Sequence, residues 1–197
     1  MRKTLLAIAF MLTALTVQAK ENQALSQKYG KGAVTTDSNG TVCFADTVAI
    51  PDGMDANKCY MILDNWAKGH FTKPFVNAGR FLSEDAASRR FVMHVDQTLV
   101  FKSTAMVADE SDMTYNFSVV VKDNCFILKM TDIKYAYETK REHGGQKFTA
   151  EEWITDKEAY NKKGTKFLRT TGKFRVKTID LKERLFDTAT QAVNDNK

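Results

Sequence analysis

Histidines, cysteines and paired acids are the side chains with which a chain of this kind would do chemistry, and here their spacing argues against it. His70, His94 and His143 stand far apart, with no HExxH, CxxC or other paired-ligand spacing around them, so the sequence writes no metal site. Cys43, Cys59 and Cys125 belong to no nucleophile motif. Cys59 shares the apolar stripe of an expected helix and Cys125 lies in a strand, where a thiol behaves as a small hydrophobe. Three cysteines leave either free buried thiols, the favoured reading, or one disulfide, for which Cys43 with Cys59 is the pair to consider. Asp109-Glu110 and Glu151-Glu152 are adjacent in sequence and point different ways on a strand or helix, so neither pair flanks one bond. With no GxSxG or SxxK pattern either, no catalytic residue and no cofactor is expected.

The most distinctive chemistry is basic. Lys162, Lys163, Lys166, Arg169, Lys173, Arg175 and Lys177 follow one another without an acid, interleaved with Phe167 and Phe174. Such a strip suits an anion, whether envelope polysaccharide, lipid head groups or an acidic partner. The same composition also makes a solvated face whose phenylalanines reach the core while lysine stems cover apolar surface, and this is the preferred reading. Trp153, beside Glu151 and Glu152 and just after a polar loop, is a further candidate for a partner contact, whereas Trp66 at helical spacing reads as core. Gly164 and Gly172 lack the spacing of a phosphate loop.

The amino terminus bears on where any partner would be met. Arg2 and Lys3 precede an uncharged run over residues 4–17, and Val17-Gln18-Ala19 has the small residues of a signal-peptidase site, so residues 1–19 are expected to be an export signal. That run is shorter than a membrane span, and no later stretch approaches one, so no transmembrane segment is expected and the product would be periplasmic or secreted. Without Arg2 and Lys3, 27 basic residues face 24 acidic ones, too mild an excess to call for nucleic acid.

These residues must be positioned by a modest set of elements. Residues 20–40 are polar, glycine-bearing and without apolar period, and read as a flexible leader. Residues 41–50 read as a strand ended by Pro51-Asp52-Gly53. Asp55 then caps a helix of about 13 residues carrying Ala56, Cys59, Leu63 and Trp66 on one face, with Gly69 as its C-terminal stop. Strict alternation follows: Phe91, Met93, Val95, Leu99 and Phe101, then Met113, Tyr115, Phe117, Val119 and Val121, predict half-buried antiparallel strands. Lys122-Asp123-Asn124 is a hairpin turn. Beyond it Phe126, Leu128 and Met130 stand at one parity and Ile133, Tyr135 and Tyr137 at the other, which a bulge near Thr131 or Asp132 reconciles. After a polar loop, residues 150–160 read as a short helix, and Asp180 opens another that buries Leu185, Ala189, Ala192 and Val193. Residues 166–177 fit strand or helix. The sum is an α+β protein of two layers, an antiparallel sheet with helices on one face, the other face being wet or covered by a partner.

Tyr60-Met61-Ile62-Leu63-Asp64-Asn65-Trp66-Ala67, then Phe71, residues 85–91 and the hairpin from Tyr115 to Phe126 resemble an exported bacterial domain family of unknown function with a TATA-binding-protein-like (TBP-like) fold. The likeness spans residues 42–140, and Ala150-Glu151-Glu152-Trp153 with Leu185-Phe186 looks like that family's C-terminal helix. The resemblance implies a curved antiparallel sheet with helices on one side, a core domain over 41–140 and a helical extension over 141–197 packed on it. It brings no activity, cofactor or site residue, and a fold shared with a DNA-binding protein does not carry DNA binding with it. The expected function is therefore an exported, non-enzymatic binding module for an unknown envelope protein or polysaccharide. The alternative is a small-ligand carrier or hydrolase with its pocket between the sheet and the C-terminal helix.

Overall fold

The computed structural model describes residues 22–103, 108–139 and 144–196. The expected export signal and His143 lie outside these residues. The fold is α+β: an antiparallel sheet that has six strands among the described residues, with two long helices on one face. The strands are β1 (Phe44–Ala49), β2 (Val76–Asp85), β3 (Arg90–Ser103), β4 (Ala108–Val121), β5 (Cys125–Tyr137) and β6 (Gln146–Thr149), in the order β1-β5-β4-β3-β2, with β6 beside the second half of β5. The helices are α1 (Ala56–His70), the single turns α2 (Ala150–Trp153) and α3 (Asp156–Ala159), and α4 (Arg169–Asn194).

Period-two patterning builds the sheet centre. Phe91, Met93, Val95, Leu99, Met113, Tyr115, Phe117, Val119, Phe126, Leu128 and Met130 are buried beneath the helices. The expected bulge is present: Asn116 pairs with Thr131 but Thr114 with Lys134, and Asp132 takes a left-handed φ of 51°, so Ile133 and Tyr135 return to the core side. On the far face half-buried polar groups satisfy one another, His94 Nδ1 donating to Asn116 Oδ1 at 2.9 Å.

α1 begins where expected, with Asp55 Oδ1 accepting from Asn57 N (2.8 Å) and Lys58 N (3.0 Å). Gly69 does not stop it. The helix runs through His70, and Phe71 caps it by donating to Ala67 O. β2 has no counterpart among the strands expected from the sequence. It is an edge strand with two register shifts against β3, so its side chains never show a sustained alternation. Gly79 is required there, since a Cβ would come within 2.8 Å of Phe71 Cβ and 2.9 Å of Phe71 O.

Two stretches differ more from expectation. Of residues 166–177, which fit strand or helix, the part from Arg169 is helix: α4 opens there rather than at the expected Asp180, and Phe174, Thr178, Leu181, Leu185, Ala189 and Val193 form its buried stripe at three- and four-residue steps. The expected helix over 150–160 is instead the two turns α2 and α3, separated at Ile154 and Thr155. At Gly172 a Cβ would overlap Phe167 Cβ. Alanine in a helix interior ordinarily adds up to about 1 kcal/mol of stability over glycine. Gly172→Ala is instead expected to lose about 1–3 kcal/mol through overpacking, read from urea unfolding.

Of the flexible leader expected over residues 20–40, the described part, residues 22–40, is laid down together with Thr41 and Val42 as a strap. Ala24 is buried with Ala159 and Tyr160, and Val34 and Val42 enter the main core. Tyr29 Oη donates to Asp180 Oδ1 (2.7 Å), Gly32 N to Asp156 Oδ2 (2.8 Å) and Val42 N to Glu151 Oε1 (2.6 Å). Every one of these bonds reaches a residue more than a hundred positions away, which is why local pattern gave no sign of them.

Candidate functional site

The basic strip is not one surface. Lys162, Lys163, Lys166 and Arg169 are exposed, and the first two line a shallow hollow of about 380 Å³ with Lys31 and Asp156. Lys173 turns into an aromatic box, its Nζ 4.5 Å from the Phe101 ring and 4.3 Å from the Tyr137 ring, donating to both Asp109 oxygens at 2.8 Å and to Tyr137 Oη at 2.7 Å. Arg175 is wholly buried, so it cannot meet an external anion. It donates to Tyr29 O (2.8 Å), Ile154 O (2.7 Å) and Gly30 O, beside Asp156 at 2.7 Å. Trp153 stacks on Phe148 with ring centres 3.4 Å apart and meets the edge of Phe174, as part of the core margin. Lys177 alone of this group reaches a large cleft.

That cleft, about 700 Å³, opens where the sheet edge is incomplete. Pairing of β2 with β3 stops at Val76 opposite Gln97, and among the described residues no strand pairs with residues 98–103 of β3 on that side. The end of α1 supplies Trp66 and His70, the turn after it Lys73 and Phe75, β3 contributes Gln97, Leu99 and Val100, and α4 adds Lys177, Asp180 and Arg184. Phe75 and Val100 are about half exposed at its mouth. The volume falls within the range that small-molecule sites span.

Two buried polar side chains face this space. Gln97 occupies a core-facing position of β3 and is only 4% exposed. Its Oε1 accepts from Tyr115 Oη at 2.8 Å, and its amide N–H groups are without a protein acceptor among the described residues. His70 packs between Trp66, Phe71 and Phe75, with ring centres 4.8, 5.2 and 5.4 Å away. Burial, followed by the positive charges of Lys73 and Arg184, pushes its pKa from 6.5 down to about 4, so the imidazole is neutral at pH 7. Between those pKa values the unfolded chain takes up a proton that the folded chain refuses. Stability is therefore whole above the unfolded value and falls as pH drops through the window, by about 2 kcal/mol between pH 7 and pH 5. Urea midpoints at both pH values should show a smaller acid loss in His70→Gln, by about that amount.

The thiols offer no nucleophile in this cleft. All three cysteines are free, and burial pushes Cys59 up to about 11. Among the described residues no three His, Cys, Asp or Glu side chains gather as metal ligands, and no helix is long and apolar enough to cross a membrane. Sequence reasoning offered a pocket between the sheet and the C-terminal helix as its alternative but did not gather the residues of this cleft, because its walls come from four separate elements. One signal was available: in the run Phe91, Met93, Val95, Gln97, Leu99, a glutamine stands at core parity.

An open antiparallel sheet backed on one face by α1 and α4 defines a TBP-like α+β domain, and comparison with solved structures agrees. A crystal structure described as a TBP-like protein from Parabacteroides distasonis is similar at TM-score 0.65 and 21% identity, over 81% of this chain and 96% of that one. A crystal structure described as a DUF4468 family protein from Bacteroides ovatus is similar at TM-score 0.75 and 28% identity, over 88% of this chain and 96% of that one. Residues 44–136 match the family model described as a domain of unknown function (DUF4468) with TBP-like fold. No curated protein matches the chain.

Proposed function

We propose that the protein is an exported binding module without catalysis of its own, and that an envelope component seats in the cleft between the end of α1, the open edge of β3 and α4. The observation that carries this reading is the Gln97 carboxamide: nearly inaccessible, anchored by Tyr115, and with its N–H donors left to face the cleft. The amide nitrogen lies on the cleft floor and is not among the buried unpaired atoms, so water reaches it there and an acceptor group of a ligand would take the place of that water. The neutral His70 beside it adds an aromatic wall and further hydrogen-bonding capacity. Hydrolysis would require a nucleophile bonded to that imidazole, and among the described residues none is. The run over residues 1–19 supports export.

The reading is tested by placing a photocrosslinking amino acid at Phe75 in living cells, with the same group at Thr47 on the far side of the sheet as control. A defined adduct at position 75 and not at position 47 is expected. Equal labelling at both positions, or none, would remove the cleft as the binding site. Amino-terminal sequencing of the same material should begin at Lys20; an intact Met1 would refute export.

A further inference from the structure

Resting on the reading of the cleft as a binding site, we infer that its ligand is an amphipathic carboxylate, with an apolar body laid along Trp66, Phe75, Leu99 and Val100 and its anionic head among Lys73, Lys177, Arg184 and the Gln97 amide. The inference starts from charge. Four ionisable side chains at neutral pH line the space, and the single acid, Asp180, is already occupied by Lys28 at 2.9 Å and by Tyr29 Oη at 2.7 Å. Among the described residues Lys73, Lys177 and Arg184 have no ion-pair partner. Three uncompensated cations on one concave surface make a positive field that low-dielectric walls concentrate.

The Gln97 donors narrow the head group. With the amide oxygen held by Tyr115, the nitrogen offers hydrogens and accepts nothing, which fits a group of acceptor oxygens and rejects an ammonium or a guanidinium. A carboxylate is acceptor-only when ionised, and hydrogen bonds to it are about twice as strong as those between neutral groups. The apolar wall then sets the body. Phe75 and Val100 are exposed at the mouth while Leu99 is buried at the floor, so a chain or ring running between them removes apolar surface that the protein alone leaves in water. A fully hydrated sugar would leave that surface uncovered.

Isothermal titration of the purified protein with decanoate, 2-naphthoate, decanol and decyltrimethylammonium, all below any micelle concentration, tests the inference. Either acid should bind about tenfold or more tightly than decanol, and the ammonium should not bind. Which acid is preferred distinguishes an acyl body from an aryl one. Arg184→Glu, at an exposed position that leaves the fold untouched, should weaken the preferred acid by about tenfold or more while leaving decanol unchanged. Perturbation of the His70 imidazole resonances by the acid would locate binding in the cleft. Equal affinity for acid and alcohol would overturn the carboxylate while keeping the cleft as a site. Binding of none of the four probes would overturn the carboxylate, and with an unlabelled position 75 in the crosslinking experiment the binding reading falls as well.

Discussion

Arg175→Met is expected to reduce the free energy of unfolding by about 3–5 kcal/mol, seen as a lower urea midpoint at unchanged slope. The guanidinium is the point at which the amino-terminal strap is fastened to α4. It reaches three backbone carbonyls, two in the strap and one at the end of α2, and lies 5.5 and 5.7 Å from the ring centres of Tyr160 and Phe167. Removing it strands those carbonyls in a site that water does not enter, where each unpaired group is worth about 1–3 kcal/mol. Methionine fills the volume without donating. Arg175→Lys should restore only part of the loss, because a single ammonium cannot span three acceptors held by a planar fork. Limited proteolysis should cut the methionine variant first between residues 22 and 42. A midpoint within error of the parent would show that the strap is held by its other contacts.

A comparable loss, about 3–5 kcal/mol, is expected for Phe174→Ala. This ring has no exposed surface and sits where β3, β5, β6, α2 and α4 converge, with the rings of Phe101, Trp153, Tyr135, Tyr137 and Phe148 centred 4.5 to 5.5 Å away. Five aromatic neighbours in mixed edge-on and tilted contact cannot collapse together into the space of one missing ring, so most of the cavity would persist. Phe174→Leu should lose less. Thermal unfolding followed separately in the near and far ultraviolet would show whether the aromatic cluster melts with the sheet, as a single cooperative unit requires.

The same residues explain which parts of the fold could be read in advance. Strands β3, β4 and β5 are buried on one face only, so hydrophobic alternation transmits their register directly, and even the bulge at Asp132 shows as a change of parity between Met130 and Ile133. β2 is silent because an edge strand with two bulges buries little. The start of α4 is silent for another reason. Its inward face carries Arg175 and Thr178 beside Phe174, and a buried arginine is indistinguishable in sequence from a solvated one. That ambiguity placed a latch among the residues of a basic strip, read by preference as a solvated face and otherwise as an anion site. The strap hides entirely, since its fixity comes from hydrogen bonds to Arg175, Asp156 and Glu151, all remote in sequence. Of the cleft, Trp66, Gln97, Leu99, Asp180 and Arg184 lie on elements readable in the sequence; their convergence with Lys73 and Lys177 comes from tertiary packing alone.

Native mass spectrometry of the protein purified from its own envelope without detergent, beside a Val100→Trp variant in which an indole fills the mouth of the cleft, tests the binding reading most directly. The parent protein should carry an additional small-molecule mass that the variant lacks, while both unfold at similar urea concentrations. Two proteins that each show only the mass of their own polypeptide, with no adduct on the parent, would contradict a cleft built to hold a ligand.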